Sequence, residues 1–270
     1  MDNRPIGFFD SGIGGVTSIP HIMRMLPDES IIFFGDTART PYGSKSAKTI
    51  RQFTLQIGEF LKMQDVKMIV IACNTVSSTA LNLLRDVYPD IPIVGCITPT
   101  AKEVVKICDK DSRIGLMATK ATVNSGVYED KIKSLNDELF VKSIACPALV
   151  PLIEEGIIDN EIMDLTLRYY LDDFIRQNDI NTLILGCTHY PLISKNLKKI
   201  YPDITIFSSS KEVATAVRME LEAGDMLASN KMPQSTFYAS DLSENFVNMI
   251  ERILGRDKEK LNIKFKNLDI

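Results

Sequence analysis

The chain has 270 residues, 45% hydrophobic and 24% charged, the proportions of a soluble globular protein with room for one large domain or two ordinary ones. A net charge of −4 gives no electrostatic basis for binding nucleic acid, and no apolar stretch approaches the roughly 20 residues of a membrane span. The five cysteines include no Cys-x-x-Cys pair and the N-terminus lacks a signal-peptide core, which predicts reduced thiols in a cytoplasmic protein.

Ile6–Phe9 reads as a first strand, followed by Asp10-Ser-Gly-Ile-Gly-Gly15 and a helical pattern from Val16 to about Leu26. Glycines at a strand-to-helix turn let backbone N–H groups face an anion at a helix N-terminus, although G-x-G-G is not the dinucleotide fingerprint. A carboxylate-binding loop or a plain tight turn fits as well, and Asp10 serves as an N-cap or as a catalytic acid. Ser30–Phe34 is the next strand, ending in the turn-rich loop Gly35-Asp-Thr-Ala-Arg-Thr-Pro-Tyr-Gly43, where Asp36 and Arg39 suit a surface pair or a loop brace. Ile50, Phe53, Ile57 and Leu61 mark a helix. The strand Met68–Ala72 then delivers Cys73, and Asn74-Thr-Val-Ser-Ser-Thr leads into a helix over Ala80–Val87 and a strand over Ile91–Gly95.

The pattern then starts again. Arg113–Thr119 parallels the first strand, and Lys120–Gly126, with Thr122, replaces the glycine loop. Phe140–Ala145 is a strand. Cys146–Gly156 stands where the first half has its Pro-Tyr-Gly loop, and Glu154 and Glu155 read as solvated charges at a helix start. Ile158, Ile162, Leu165 and Tyr169 mark the next helix, before the strand Thr182–Leu185 and Cys187. Gln64–Thr75 and Asn178–His189 align without a gap, and Tyr88-Pro-Asp-Ile is answered by Tyr201-Pro-Asp-Ile. A duplication of this length predicts an α/β protein of two pseudo-symmetric, doubly wound parallel-sheet domains, flavodoxin-like in each half. The expected division is 1–96 with 209–270, and 97–208, with a site between. The C-terminal part, a helix over Val213–Leu227, a strand over Thr236–Ala239 and a helix over Glu244–Leu254, returns to complete the first domain. The tail from Asp257 reads as loosely held.

The repeat sets two cysteines at the C-terminal ends of strands, where open α/β sheets bind ligands. A helix N-terminus beside each would favour the thiolate. Cys96, Cys108 and Cys146 have no such match and read as small buried hydrophobes. Two thiols facing each other across a cleft suit acid–base exchange at one carbon, one removing a proton and the other returning one to the opposite face. His189, where the first half has Thr75, gives only one side a proton partner. Other readings stay open: a redox pair, a zinc site from Cys73, Cys187 and His189, a thiol hydrolase with His189 as base, and a two-lobed binding protein that needs only small residues at each strand end.

At Asp10–Gly15, Gly35–Gly43, Ala72-Cys-Asn-Thr75 and Gly186-Cys-Thr-His-Tyr-Pro191 the chain resembles the glutamate racemases, of the cofactor-independent aspartate/glutamate racemase superfamily, in order across nearly its whole length. The resemblance implies L-/D-glutamate as substrate, no cofactor or metal, and D-glutamate supplied for peptidoglycan. It implies Cys73 and Cys187 as the two bases, with Asp10, Glu154 and His189 assisting. It also implies substrate contacts from Asp10, Ser11, Pro41, Tyr42, Gly43, Asn74, Thr75, Thr119, Thr122, Thr188 and His189. A homodimer and regulation by a peptidoglycan precursor belong to the same expectation, and aspartate is the alternative substrate. Val16 and Val76 depart from the residues common at their places, Leu and Ala, without touching the chemistry.

Overall fold

The structure, a computed structural model, describes residues 1–255, 257, 259 and 261–268. The first half runs β1 (Ile6–Asp10), α1 (Ile19–Met25), β2 (Ile31–Gly35), α2 (Ala47–Met63), β3 (Met68–Ile71), α3 (Asn74–Val87), β4 (Ile93–Gly95) and α4 (Ile97–Ile107). The second runs β5 (Arg113–Ala118), α5 (Lys120–Asn124), α6 (Val127–Leu135), β6 (Phe140–Ala145), α7 (Leu149–Glu154), α8 (Glu161–Asn178), β7 (Thr182–Gly186), α9 (Ser194–Ile200) and β8 (Thr205–Ser208). Then come α10 (Ser209–Ala223), β9 (Thr236–Ala239), α11 (Glu244–Leu254) and β10 (Asn262–Phe265).

Two parallel sheets result. The first has the order β10-β9-β2-β1-β3-β4 and the second β6-β5-β7-β8. The order β2-β1-β3-β4 of the first half is therefore repeated strand for strand in the second, as the duplicated sequence requires. β9 and β10 extend the first sheet beyond β2, so the C-terminal segment returns to it. Within the tail expected to be loose, Asn262–Phe265 instead pairs in register with Thr236–Ala239, while positions 256, 258, 260, 269 and 270 lie outside the described residues.

Strands β1, β2 and β3 of the first sheet are buried on both faces, which is why they are apolar without alternation. Phe9, Phe34, Ile69 and Ile71 point toward α2 and α3. Ile6, Phe8, Ile31, Phe33, Met68 and Val70 point the other way, into a core continuous with that of the second sheet. In α8 the buried face is not the one the spacing of Ile162, Leu165 and Tyr169 predicts. These three are 54%, 58% and 83% exposed, whereas Met163, Leu167 and Leu171 are fully buried. The helix carries apolar residues at helical spacing on two faces, and only one of them meets the sheet. The first helix also begins later than its pattern suggests, because Gly14–Ser18 forms a 3-10 turn before α1. α10 starts and ends earlier than its pattern, capped by Ser208 and stopped at Gly224, with Asp225 in the left-handed region at φ 51°.

Candidate active site

Cys73 stands just after β3, at the N-cap position of α3, and its buried sulfur contacts Ser11 Oγ at 3.4 Å. Burial pushes this thiol well up, the neighbouring Asp10 carboxyl adds to that, and the hydrogen bonds with Ser11 and the Val76 N–H only partly oppose it. The helix end expected beside this thiol is present and its Val76 N–H acts to favour the thiolate, while burial acts the other way and more strongly. Cys187 directly follows β7 and is also buried, but the next element is the 3-10 turn Tyr190–Ile193 and not an α-helix N-terminus. Its sulfur lies 3.7 Å from His189 Nδ1.

The other ring nitrogen of His189, Nε2, stands 2.9 Å from Glu154 Oε1, which also accepts from Thr40 Oγ1 at 3.2 Å. Burial disfavours the charged imidazole, but the hydrogen bonds to Cys187 and Glu154 and their charges outweigh it and hold His189 well above its ordinary pKa. Glu154 is thus not at a helix start. It is the last residue of α7, and α8 begins only at Glu161, capped by Asn160.

Asp10 is buried at the end of β1. The N–H groups of Gly12 and Gly15 donate to its Oδ2 at 3.3 and 3.0 Å, and Thr188 Oγ1 donates to its Oδ1 at 3.2 Å. Two N–H groups of the glycine loop, those of Gly12 and Gly15, accordingly grip the protein's own carboxylate. Burial raises the Asp10 carboxyl above the usual range, against the lowering effect of His189 and these donors. The glycines serve a different need: a Cβ on Gly14 would lie 2.4 Å from Thr188 Oγ1 and 2.6 Å from His189 Nδ1, and one on Gly43 would lie 2.4 Å from Thr119 Cβ. No side chain fits at these two positions, where the halves come closest.

Other contacts cross between the halves. Thr75 Oγ1 meets Thr119 Oγ1 at 2.9 Å and Thr122 Oγ1 at 3.3 Å, and Tyr128 Oη donates to Asn74 Oδ1 at 2.6 Å. Asp36 is no surface residue. Buried beneath its loop, it accepts from Tyr42 Oη, from Arg39 Nε at 2.7 Å and from Ser240 Oγ at 2.8 Å, so it braces the Pro-Tyr-Gly turn against the C-terminal segment.

These strand ends enclose one small cavity. Ser11, Pro41, Tyr42, Gly43, Cys73, Asn74 and Thr75 line it from the first half, and Thr119, Cys187, Thr188 and His189 from the second. It leaves ≈ 10 Å³ for the centre of a water, about the room of a single molecule. Asp10, Glu154 and Thr122 stand behind the lining, each bonded to a residue in it. Val150, on α7, lines the cavity and was not foreseen; nothing distinguishes it in the run Ala-Leu-Val-Pro-Leu-Ile. Tyr128 was missed for a similar reason, since only the fold brings α6 against Asn74. Among the described residues no group of three or more His, Cys, Asp or Glu is placed to hold a metal ion, so the zinc alternative finds no donor set. Cys73 and Cys187 are both free thiols. No helix among the described residues is long and apolar enough to cross a membrane.

The model of the Asp/Glu/hydantoin racemase family matches residues 19–217. The chain is 40% identical over 257 residues to a glutamate racemase of Geobacter metallireducens, covering 94% of each chain. It is 42% identical over 260 residues to a glutamate racemase of Persephonella marina, covering 96% of this chain and 97% of the other. The crystal structure of glutamate racemase from Francisella tularensis in complex with D-glutamate superposes with a TM-score of 0.92 at 38% identity, covering 100% of this chain and 99% of that one. Escherichia coli glutamate racemase, solved with L-glutamate and the activator UDP-MurNAc-ala, superposes with a TM-score of 0.79 at 25% identity over 98% of each chain.

Proposed function

The chain belongs to the Asp/Glu/hydantoin racemase family and is an amino-acid racemase of its glutamate racemase branch, and from that premise we propose that it inverts Cα of glutamate by proton transfer between Cys73 and Cys187. The observation that supports this is the convergence of the two thiols on one buried cavity from the ends of equivalent strands.

One thiolate takes the Cα proton as the C–H bond breaks, leaving a carbanion. The other thiol gives its proton to the opposite face as the new C–H bond forms. The reaction leaves the protonation states of the two sulfurs exchanged. His189, held protonated between Cys187 and Glu154, supplies a positive charge on one side only, so the half-sites are unequal. A thiolate is a weak base for an amino-acid Cα–H, so donors around the substrate's carboxylates must stabilise the developing charge. Ser11, Tyr42, Gly43, Asn74, Thr75, Thr119, Thr188 and His189 stand at the cavity wall for that purpose, with Asp10 behind Thr188 and Thr122 behind Thr75. The cavity leaves little room for an amino acid, and in this reading the two halves part to admit substrate and close over it to exclude water.

We take residues 1–96 with 209–270, and 97–208, as the two lobes that move. The same reading places the enzyme in the cytoplasm, where D-glutamate feeds peptidoglycan synthesis, as a homodimer open to regulation by a peptidoglycan precursor. Purified enzyme with L-glutamate and no added cofactor tests the substrate. Accumulation of D-glutamate on a chiral column supports the proposal. Accumulation of D-aspartate from L-aspartate, with glutamate untouched, would keep the mechanism and change the substrate.

A further inference from the structure

Asn74 is the first residue of α3 and 2% exposed, and it is one of the residues that line the cavity. A carboxamide has an acceptor end and a donor end, and a half-turn exchanges them. Here Oδ1 accepts from Tyr128 Oη at 2.6 Å, while Nδ2 has no hydrogen-bond partner in the protein. A separation of 2.6 Å suits an O–H···O bond and is short for N–H···O, so the phenol meets the oxygen end of the amide. Burial holds the Tyr128 phenol far above its ordinary pKa, so it keeps the proton it donates. The two N–H bonds of Nδ2 are then left to whatever occupies the cavity. A buried donor without an acceptor is unfavourable, and a carboxylate oxygen of the substrate is the acceptor that relieves it.

Tyr128 belongs to α6 of the second half, and Asn74 to the first. The aiming contact therefore exists only while the two halves are together. We propose that Tyr128 is a positioning residue for substrate recognition: by holding Asn74 Oδ1 it turns the donor end of Asn74 toward a substrate carboxylate. Without the hydroxyl the amide is free to turn, and its oxygen would then repel that carboxylate. The proposal rests on the reading of Asn74 as a substrate contact.

Tyr128→Phe keeps the ring and deletes only the hydroxyl. KM for glutamate should rise about tenfold, the worth of one oriented hydrogen bond, with kcat much less affected. A role in packing alone would lower stability without this split. In an Asn74→Ala background, adding Tyr128→Phe should leave KM where Asn74→Ala put it, because both changes remove one device. An unchanged KM in Tyr128→Phe, or effects of the two changes that simply add, would overturn the proposal. Should Tyr128→Phe not fold, the wild-type enzyme labelled with 15N-asparagine supplies the test. Saturating glutamate should shift the Asn74 side-chain amide protons downfield, and unmoved signals would refute the assignment. Wild-type enzyme that racemises glutamate while Tyr128→Phe behaves identically removes this inference alone. Wild-type enzyme inactive on glutamate removes it together with the function it rests on.

Discussion

His189 bridges Cys187 and Glu154, its Nδ1 3.7 Å from the sulfur and its Nε2 2.9 Å from the carboxylate, and nothing of the kind stands beside Cys73 among the described residues. The two half-sites share a backbone plan and differ in charge.

That difference has a pH signature. The folded pKa of His189 is raised above its ordinary 6.5, so the folded state holds this proton more tightly than the unfolded chain does. Its stabilising contribution is complete below pH 6.5 and is lost as pH rises through the higher folded value. Urea unfolding should therefore show stability falling with pH above neutrality, and Glu154→Gln should flatten that slope by removing one of the charges that hold the proton. Equal slopes in the two proteins would show that the pair does not hold the proton.

Cys73→Ala and Cys187→Ala should each lower racemisation by about 10³-fold or more, since each removes one of two obligatory acid–base groups. On a glutamate analogue with a good β-leaving group, a single variant should still eliminate from one enantiomer, because abstraction needs only the surviving thiol. Full racemisation by either variant contradicts the two-thiol mechanism.

Gly14→Ala and Gly43→Ala should leave each half folded and separate the walls of the site, since the new Cβ would sit 2.4 Å from Thr188 Oγ1 or from Thr119 Cβ. A misplacement of about 1 Å in a catalytic constellation costs about 100-fold, which is the expected fall in kcat/KM. Unaltered kinetics in both variants would mean that the halves do not need this close approach.

At the other end of the first sheet, Lys67 Nζ lies 2.6 Å from Glu29 Oε2 with both side chains buried, and it donates to the carbonyls of Asp2 and Met226 at 2.7 Å each. This charge ties the N-terminus and the segment after α10 to the base of the sheet. Lys67→Met should cost about 3–5 kcal/mol, because it leaves the Glu29 charge buried and unpaired. Adding Glu29→Gln should recover part of that loss, with kcat unchanged in whichever variants fold. Loss of less than about 1 kcal/mol in Lys67→Met would show that water compensates the carboxylate.

Much of this architecture was legible because the sequence states it twice. Cys73 and Cys187 could be set at equivalent strand ends, and the matched Tyr-Pro-Asp segments carried the equivalence to β4 and β8. What stayed hidden depended on partners distant in the chain. The stripe Ile162, Leu165, Tyr169 and the stripe Met163, Leu167, Leu171 have similar spacing, and only packing decides which is buried. β10 was missed because Asn-Ile-Lys-Phe is too short and too polar to declare a strand without β9 beside it. Glu154 ends one helix instead of starting the next because α7 is a short helix inside a segment that reads as a loop. Of the cavity lining, the repeats pointed to Cys73 and Cys187 and the family resemblance to Ser11, Tyr42 and Thr119, whereas Val150 and Tyr128 reach the cavity or its wall from elements whose approach no local pattern reports.

The most direct test of the two-thiol mechanism is the fate of the Cα proton of L-glutamate in D2O, followed by NMR together with circular dichroism and with no cofactor added. In early turnover D-glutamate should appear with deuterium at Cα while the remaining L-glutamate keeps its proton, because the proton is returned to the opposite face by a second thiol that has exchanged with solvent. Deuterium entering L-glutamate as fast as D-glutamate would mean a single base serving both faces, and loss of optical activity without any deuterium would contradict proton transfer through the two cysteines altogether.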